Sequence, residues 1–357
     1  MVVILTGATK NVGDYLIGDR AKKLIREFFD EDIIELSRFN KIESSDIEII
    51  NNSKALVLCG GPAYAKNVFE GVYKLDSIID KINVPIIPYG LGWSGKPLGN
   101  PESFRFTNES SQFLSKIHTK INSSSCRDII TEEILHNNGI KNVTMTGCPV
   151  WYDLDSIGQE FANSFNPKDI LITTPASPRF LFLNTKLVKL IHSEFPDAKI
   201  TLSFHRGILW DKETSVKHSM AYILMVLFAK AVSPKIKVVD VSYDLNKIDF
   251  YKNCNFHIGF RVHAHLHFLS RRKPSLLINE DGRGEGMVKS LGQESYTVND
   301  DQILSKIKSK IRLFKEGHLD EFREVQKKID SNFEIMKSFL SNLKNEKNQI
   351  KNPKVCT

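Results

Sequence analysis

The sequence predicts an α/β protein built as two Rossmann-like domains in series, followed by C-terminal helices. Three observations carry this. Short apolar runs alternate regularly with longer amphipathic stretches, as strands and crossover helices do in a parallel sheet. The alternation occurs twice, separated by the polar stretch "GQEFANSFNPKD" at residues 158–169. After residue 291 the strand pattern stops and only helical spacing continues. A chain of 357 residues is long for one core and comfortable for two. The expected division is residues 1–160, residues 161–300 and a basic helical tail, residues 301–357, with a disordered end.

In the first series, strands are expected at residues 2–6, 33–36, 55–58, 85–89, 124–127 and 143–146. Amphipathic helices fill the gaps at 16–29, 65–81, 108–120 and 129–138. The second series has strands at 170–173, 199–204, 237–241, 256–260 and 274–278. Residues 158–169 are rich in Gly, Asn, Ser and Pro and read as the linker. "ILSKIKSKIRLFKEG" and the segment after it place apolar residues at helical spacing, so two helices close the chain.

Composition narrows the function. Hydrophobic residues make up 41% and charged residues 25%, as in ordinary globular proteins. "MVVILTGATKNVGD" reads as a strand entering a loop and not as a signal peptide. The longest apolar run, residues 220–229, is too short to span a bilayer. Cys59, Cys126, Cys148, Cys254 and Cys356 form no close pair, which suits reduced thiols in the cytoplasm. The net charge is +7. The last 57 residues hold 13 Lys and Arg against 8 Asp and Glu, so most of the excess lies there. The nearly neutral remainder argues against a nucleic-acid surface. The tail is read as a solvated helix, one that also suits peripheral contact with an anionic inner-membrane face.

In open parallel sheets, ligands sit beyond the carboxyl ends of the strands. Those positions carry Asp14, Gly60, Gly61 and Tyr64 in the first series, and His205, Arg206, Arg261, His263 and Arg283 in the second. Glycine admits a ligand close to the backbone, and arginine or histidine there suits phosphate or carboxylate. "GATKNVGD" is neither a P-loop nor a dinucleotide-binding glycine motif, because its glycine spacing is wrong for both. Asp14 reads either as a helix cap or as a carboxylate aimed at a sugar hydroxyl.

The stretch "FHIGFRVHAHLHFLSRRKPSLLI", residues 256–278, sets three histidines at alternate positions. A metal site would need them on one face, as a strand would provide. The segment from Arg261 has helical length, ends in Arg271, Arg272 and Lys273, and must cross over between two buried strands. On a helix, residues two apart point about 200° apart, so His265 diverges from His263 and His267. The reading is therefore an anion site at a helix start, formed by Arg261 and His263, with no metal.

"RVHAHLHFLSRRKPSLLI" followed by "DGRGEGMVKSLG" resembles the signature of the polysaccharide pyruvyl transferase family. "NVGDYLIGD", "LCGGPAY", "PIIPYGLGW" and "SCRDIITEEILHNNGI" agree in order, so the resemblance spans residues 2–292. Where the family often carries an acidic residue after the sixth strand, this chain has "GCPVW". The resemblance implies a GT-B-like architecture with two Rossmann-like domains facing each other across a cleft. It also implies transfer of the enolpyruvyl group of phosphoenolpyruvate onto a sugar of a surface polysaccharide or its lipid-linked precursor, giving a cyclic ketal. That chemistry needs cations and a proton donor, and no cofactor beyond the donor substrate. Arg261 and His263 would be catalytic and would bind the donor with His205, Arg206 and Arg283. Asp14, Gly60, Gly61 and Tyr64 would face the acceptor. The alternative is a GT-B glycosyltransferase using a nucleotide-sugar, which also clamps phosphates.

Overall fold

The computed structural model describes residues 1–68, 72–75, 78–95 and 100–350, and of 344–350 the backbone only. The chain divides into two compact units. One contains Met1–Gly7, Ile17–Tyr152 and Asp330–Thr357; the other contains Ala8–Leu16 and Asp153–Ile329.

The first unit is built from β1 (Val2–Thr6), α1 (Val12–Leu24), β2 (Ile33–Ser37), α2 (Ser44–Asn51), β3 (Leu56–Tyr64), β4 (Ile86–Trp93), α3 (Asn108–His118), β5 (Ser124–Cys126), α4 (Ile129–Asn137) and β6 (Val143–Met145). All neighbouring strands are parallel, in the order β2-β1-β3-β4-β5-β6. Every residue of β1 and β4 is buried, which is why they appear in the sequence as unbroken apolar runs and not as alternation.

The second unit continues with β7 (Asp169–Thr173), α5 (Leu181–Glu194), β8 (Lys199–Phe204), α6 (Val216–Val232), β9 (Lys237–Asp240), β10 (Phe256–Gly259), α7 (Val262–Ser270), β11 (Ser275–Asn279), α8 (Gly282–Leu291), β12 (Tyr296–Thr297) and α9 (Ile303–Lys315). Its sheet is also parallel, in the order β12-β11-β10-β7-β8-β9. The final helix, α10, runs over Asp320–Ile350.

Four expectations are corrected. The helix expected over 65–81 is replaced, among the described residues, by bends at Ala65 and Lys66 and a 3-10 turn at Ile79–Lys81. The Val68 amide donates to Ser110 Oγ at 2.9 Å, and Tyr73 and Leu75 are buried singly. The strand expected at 55–58 runs on to Tyr64 through Gly60 (φ 59°) and Gly61 (φ 80°). Glycine allows that left-handed kink inside a strand, and a Cβ at Gly60 would lie 2.1 Å from Ile17 Cγ2 of α1.

The unit boundary falls at Tyr152 and Asp153, not in residues 158–169. Phe161 and Phe165 of that stretch are buried, against Phe322 at 5.3 Å and Phe314 at 5.3 Å. Arg271 Nε also holds Asp153 at 2.8 Å. The tail is a packed part of both units. Phe333 meets Phe28 and Tyr152, each at 5.6 Å, and Phe339 stacks on Tyr89 at 6.1 Å. The expected disordered end falls on residues 351–357, outside the described residues.

Candidate active site

The second sheet reverses direction between β7 and β10, since the chain proceeds from β7 to β8 on one side and returns to β10 on the other. Such a switch point opens a crevice at the carboxyl edge, and Arg261 sits there. Gly259 makes this possible: it adopts φ 147°, and a Cβ would lie 2.4 Å from the Thr173 carbonyl. The Arg261 amide donates to Thr173 Oγ1 at 3.2 Å and its Nη2 to the Pro175 carbonyl at 3.1 Å. Arg261 is only 9% exposed. Burial lowers its pKa, Tyr222 and Glu280 oppose that, and Arg206 and Arg283 add to it.

Glu280, at the carboxyl end of β11, was not singled out from the sequence. It accepts from the amides of Ala176 at 2.7 Å and Ser177 at 3.1 Å. Burial holds its carboxyl above the usual range, although Arg261 and those two amides pull it down.

His263 lies in the first turn of α7, against Gly13 of the N-terminal loop. A Cβ on Gly13 would come within 2.8 Å of His263 Nδ1, so only glycine leaves the imidazole its place. His205, at the end of β8, is buried and bonded through Nε2 to Tyr251 Oη at 2.8 Å, which in turn meets Ser203 Oγ at 2.8 Å. Burial depresses its pKa well below the usual value, and Arg261, His257, His263 and His267 depress it further. Arg261, His205 and His263 therefore share one electrostatic neighbourhood.

The N-terminal loop belongs to this unit because Lys10 ties it there. Lys10 is buried, with Nζ 2.5 Å from Asp211 Oδ2 and 2.6 Å from Thr214 Oγ1, and over the Tyr243 ring at 5.1 Å. A buried ammonium demands such a partner. Two backbone bonds support it: Val12 to the His205 carbonyl at 3.3 Å and Tyr243 to the Lys10 carbonyl at 2.8 Å. Asp14 thus lies with the second-unit residues and not with Gly60, Gly61 and Tyr64. It is inside the first turn of α1, accepts from Asn11 Nδ2 at 3.1 Å, and contributes to raising the pKa of Arg283. Arg283 is clasped by Asp281, with Nε 2.9 and 2.8 Å from its two oxygens. Arg206 is exposed.

A family model described as polysaccharide pyruvyl transferase matches residues 11–282. The chain belongs to the polysaccharide pyruvyl transferase family. Its match begins within the loop that Lys10 anchors and ends just beyond Asp281. No curated protein matches this family member by sequence. In fold it is similar to UDP-GlcNAc 2-epimerase from Neisseria meningitidis bound to UDP-GlcNAc, with TM-score 0.55, 13% identity, and coverage of 96% of this chain and 100% of that one. Another UDP-N-acetylglucosamine 2-epimerase gives TM-score 0.54, 13% identity, and 98% and 97% coverage. A trehalose-6-phosphate structure from E. coli bound with UDP-2-fluoro glucose gives 0.51, 9%, and 84% and 75%. The chain spans 54% of an accessory secretory protein chain from Streptococcus pneumoniae. The likeness to the two epimerases and the trehalose-6-phosphate structure establishes the fold of this family member as GT-B.

In the first unit, Gly60 and Gly61 lie at the carboxyl edge of the sheet, where the family member also places Arg38. The Arg38 amide donates to the Thr6 carbonyl at 2.9 Å. A Cβ on Gly7 would lie 2.6 Å from its Cζ, and Gly61 is next to its Nη1. Its guanidinium packs 5.1 Å from the Phe39 ring centre and 5.9 Å from that of Tyr73. Among the described residues no carboxylate pairs with it. Tyr64 is 0% exposed and edge-on to Phe106 at 6.2 Å, so it serves the core and offers no surface to an acceptor.

The three alternate histidines of the family member diverge on α7. His265 is buried, with Nδ1 on Ser275 Oγ at 2.7 Å and Nε2 near Gln293 Oε1 at 2.9 Å. His267 faces the Tyr251 ring at 6.0 Å. Among the described residues no group of three or more His, Cys, Asp or Glu is placed to share a metal ion. Burial holds His265 down to about 4, against an ordinary 6.5, with the Gln293 bond opposing it. The unfolded chain therefore binds more protons between those values, so stability present above 6.5 is lost as pH falls toward 4. His265 alone should remove about 2 kcal/mol by pH 5. Urea unfolding at pH 7 and pH 5 checks this, and the loss should shrink in His265→Gln.

Proposed function

We propose that this chain transfers the enolpyruvyl group of phosphoenolpyruvate onto two hydroxyls of a sugar, forming a cyclic ketal and releasing phosphate. The observation that carries the reading is Arg261, buried at the switch point and capping the helix whose first turn holds His263, within a chain of this family. Phosphoenolpyruvate brings a carboxylate and a phosphate, and Arg261 offers a rigid fork of donors to one of them. Arg206 supplies a second cation, while Arg283 is already engaged by Asp281. Protonation of the enol methylene by His263 develops positive charge at the adjacent carbon. One sugar hydroxyl adds there, and the second displaces phosphate and closes the ring. The proton gained by the methyl group is balanced by that lost from the first hydroxyl, and the second hydroxyl proton leaves with phosphate. No metal or further cofactor is called on.

The acceptor is read as a surface glycan or its lipid-linked precursor. Asp14, in the same unit as Arg261, would accept from a sugar hydroxyl. Such work belongs in the cytoplasm, where phosphoenolpyruvate is made. No helix among the described residues is long and apolar enough to cross a membrane. Incubation with phosphoenolpyruvate and a glycan acceptor should release inorganic phosphate. Nucleotide release from a sugar donor, without turnover of phosphoenolpyruvate, would replace this reading with glycosyl transfer.

Gly13→Ala tests the placement of His263. The methyl group improves helix propensity but must push the imidazole aside. Thermal stability should hold or rise while turnover falls by about tenfold or more. Unchanged turnover would show that the position of His263 does not matter.

A further inference from the structure

We propose that α6 seats this protein on the surface of an anionic lipid bilayer. One face of α6 buries Ser219, Ala221, Tyr222, Met225 and Ala229 and anchors the helix to its unit. The opposite face should be polar in an ordinary surface helix. Here it carries Val216, Met220, Ile223, Leu224 and Leu227, all exposed, with Met220 at 62% and Leu227 at 57%. At 100° per residue these five fall within an arc of about 100°. Leu209 and Trp210, the latter 69% exposed, lie a few residues before the helix. Single exposed apolar residues are common, but a contiguous stripe marks an interaction surface.

Charge selects the occupant. Lys217 and Lys230 flank the stripe on either side, both exposed, and "VKHSMAYILMVLFAKAV" contains no acidic residue. Two copies of this face pressed together would set lysine against lysine with no carboxylate on the helix to relieve them. A bilayer with anionic headgroups meets the lysines and takes the apolar stripe and Trp210 at its interface, as amphipathic surface helices do.

The helix starts at the carboxyl edge of its sheet, the edge that carries Arg261. Tyr222 Oη donates to the Ala176 carbonyl at 3.0 Å, one residue from the Pro175 carbonyl that holds Arg261. Docking through α6 therefore brings the ligand edge toward the headgroups, where a lipid-linked acceptor would present its sugar. Only this last link rests on the proposed reaction.

The test uses the full chain with vesicles of phosphatidylcholine alone and of phosphatidylcholine mixed with phosphatidylglycerol. Of the three tryptophans, Trp93 and Trp151 are buried, so a fluorescence shift on adding vesicles reports Trp210. Co-sedimentation and a blue shift are expected with the anionic vesicles, weakened by salt. Leu227→Glu, an exposed change that leaves thermal unfolding unaltered, should weaken binding by about tenfold or more. No binding to anionic vesicles, or equal binding by Leu227→Glu, overturns the proposal. So does a solution dimer that Leu227→Glu dissociates while vesicles are ignored, which would assign the face to a second copy. Phosphate release from phosphoenolpyruvate is scored separately, so loss of either result leaves the other standing.

Discussion

Arg261→Ala is expected to weaken phosphoenolpyruvate binding by about 2–4 kcal/mol, through loss of a buried, charge-assisted contact. The fold should tolerate the change. The backbone bond from residue 261 to Thr173 Oγ1 is kept, and only the bond to the Pro175 carbonyl disappears. Arg261→Lys should recover part of the affinity, because the charge returns without the bidentate geometry. Glu280 adds a signature. Arg261 is what pulls its raised pKa down, so Arg261→Ala lets the carboxyl protonate at higher pH. Titration calorimetry across pH checks both effects, and unchanged affinity in Arg261→Ala would remove this residue from the donor site.

His263→Gln should keep the fold and much of the donor affinity while lowering turnover by about 10²–10⁴-fold, if the imidazole delivers the proton. A loss confined to the Michaelis constant would instead make it a phosphate ligand. The control is His267→Gln. His267 is buried beside Tyr251, so its change should register in stability more than in turnover. Steady-state kinetics with phosphoenolpyruvate varied, beside thermal unfolding of all three proteins, separates these outcomes. If His263→Gln turned over like the parent, pyruvyl transfer would lose its proposed centre.

Much of the fold was legible because parallel strands buried on both faces leave unbroken apolar runs. Val2–Thr6 and Lys199–Phe204 were bounded correctly from the sequence on that basis. The placement of Arg261 and His263 at a helix start was legible for a related reason, since they lie between a buried strand and a proline-led one with helical length between. Residues 65–81 misled because Val68, Val72, Leu75 and Ile79 recur at helical spacing, while burying Val68, Leu75 and Ile79 does not require a helix. Helix α6 was noticed only as an apolar run, since a helix apolar on two faces loses its periodicity. Glu280 and Lys10 were beyond reach. Glu280 acquires its role from amides about a hundred residues away, and Lys10 from Asp211, two hundred residues along the chain. Nothing local distinguishes either from a solvated charge.

The assignment of Ala8–Leu16 to the second unit and of Asp330–Thr357 to the first has a practical consequence for recombining this protein with its relatives. A chimera spliced once, near residue 152, inherits Lys10 from one parent and Asp211, Thr214 and Tyr243 from the other. It also parts Phe333 and Phe339 from the rings of Phe28, Tyr152 and Tyr89. Exchange of specificity between relatives therefore requires three further junctions, near residues 7, 16 and 330. Within this chain the heritable module is discontinuous, and the nine residues from Ala8 to Leu16 travel with the distant half they pack against.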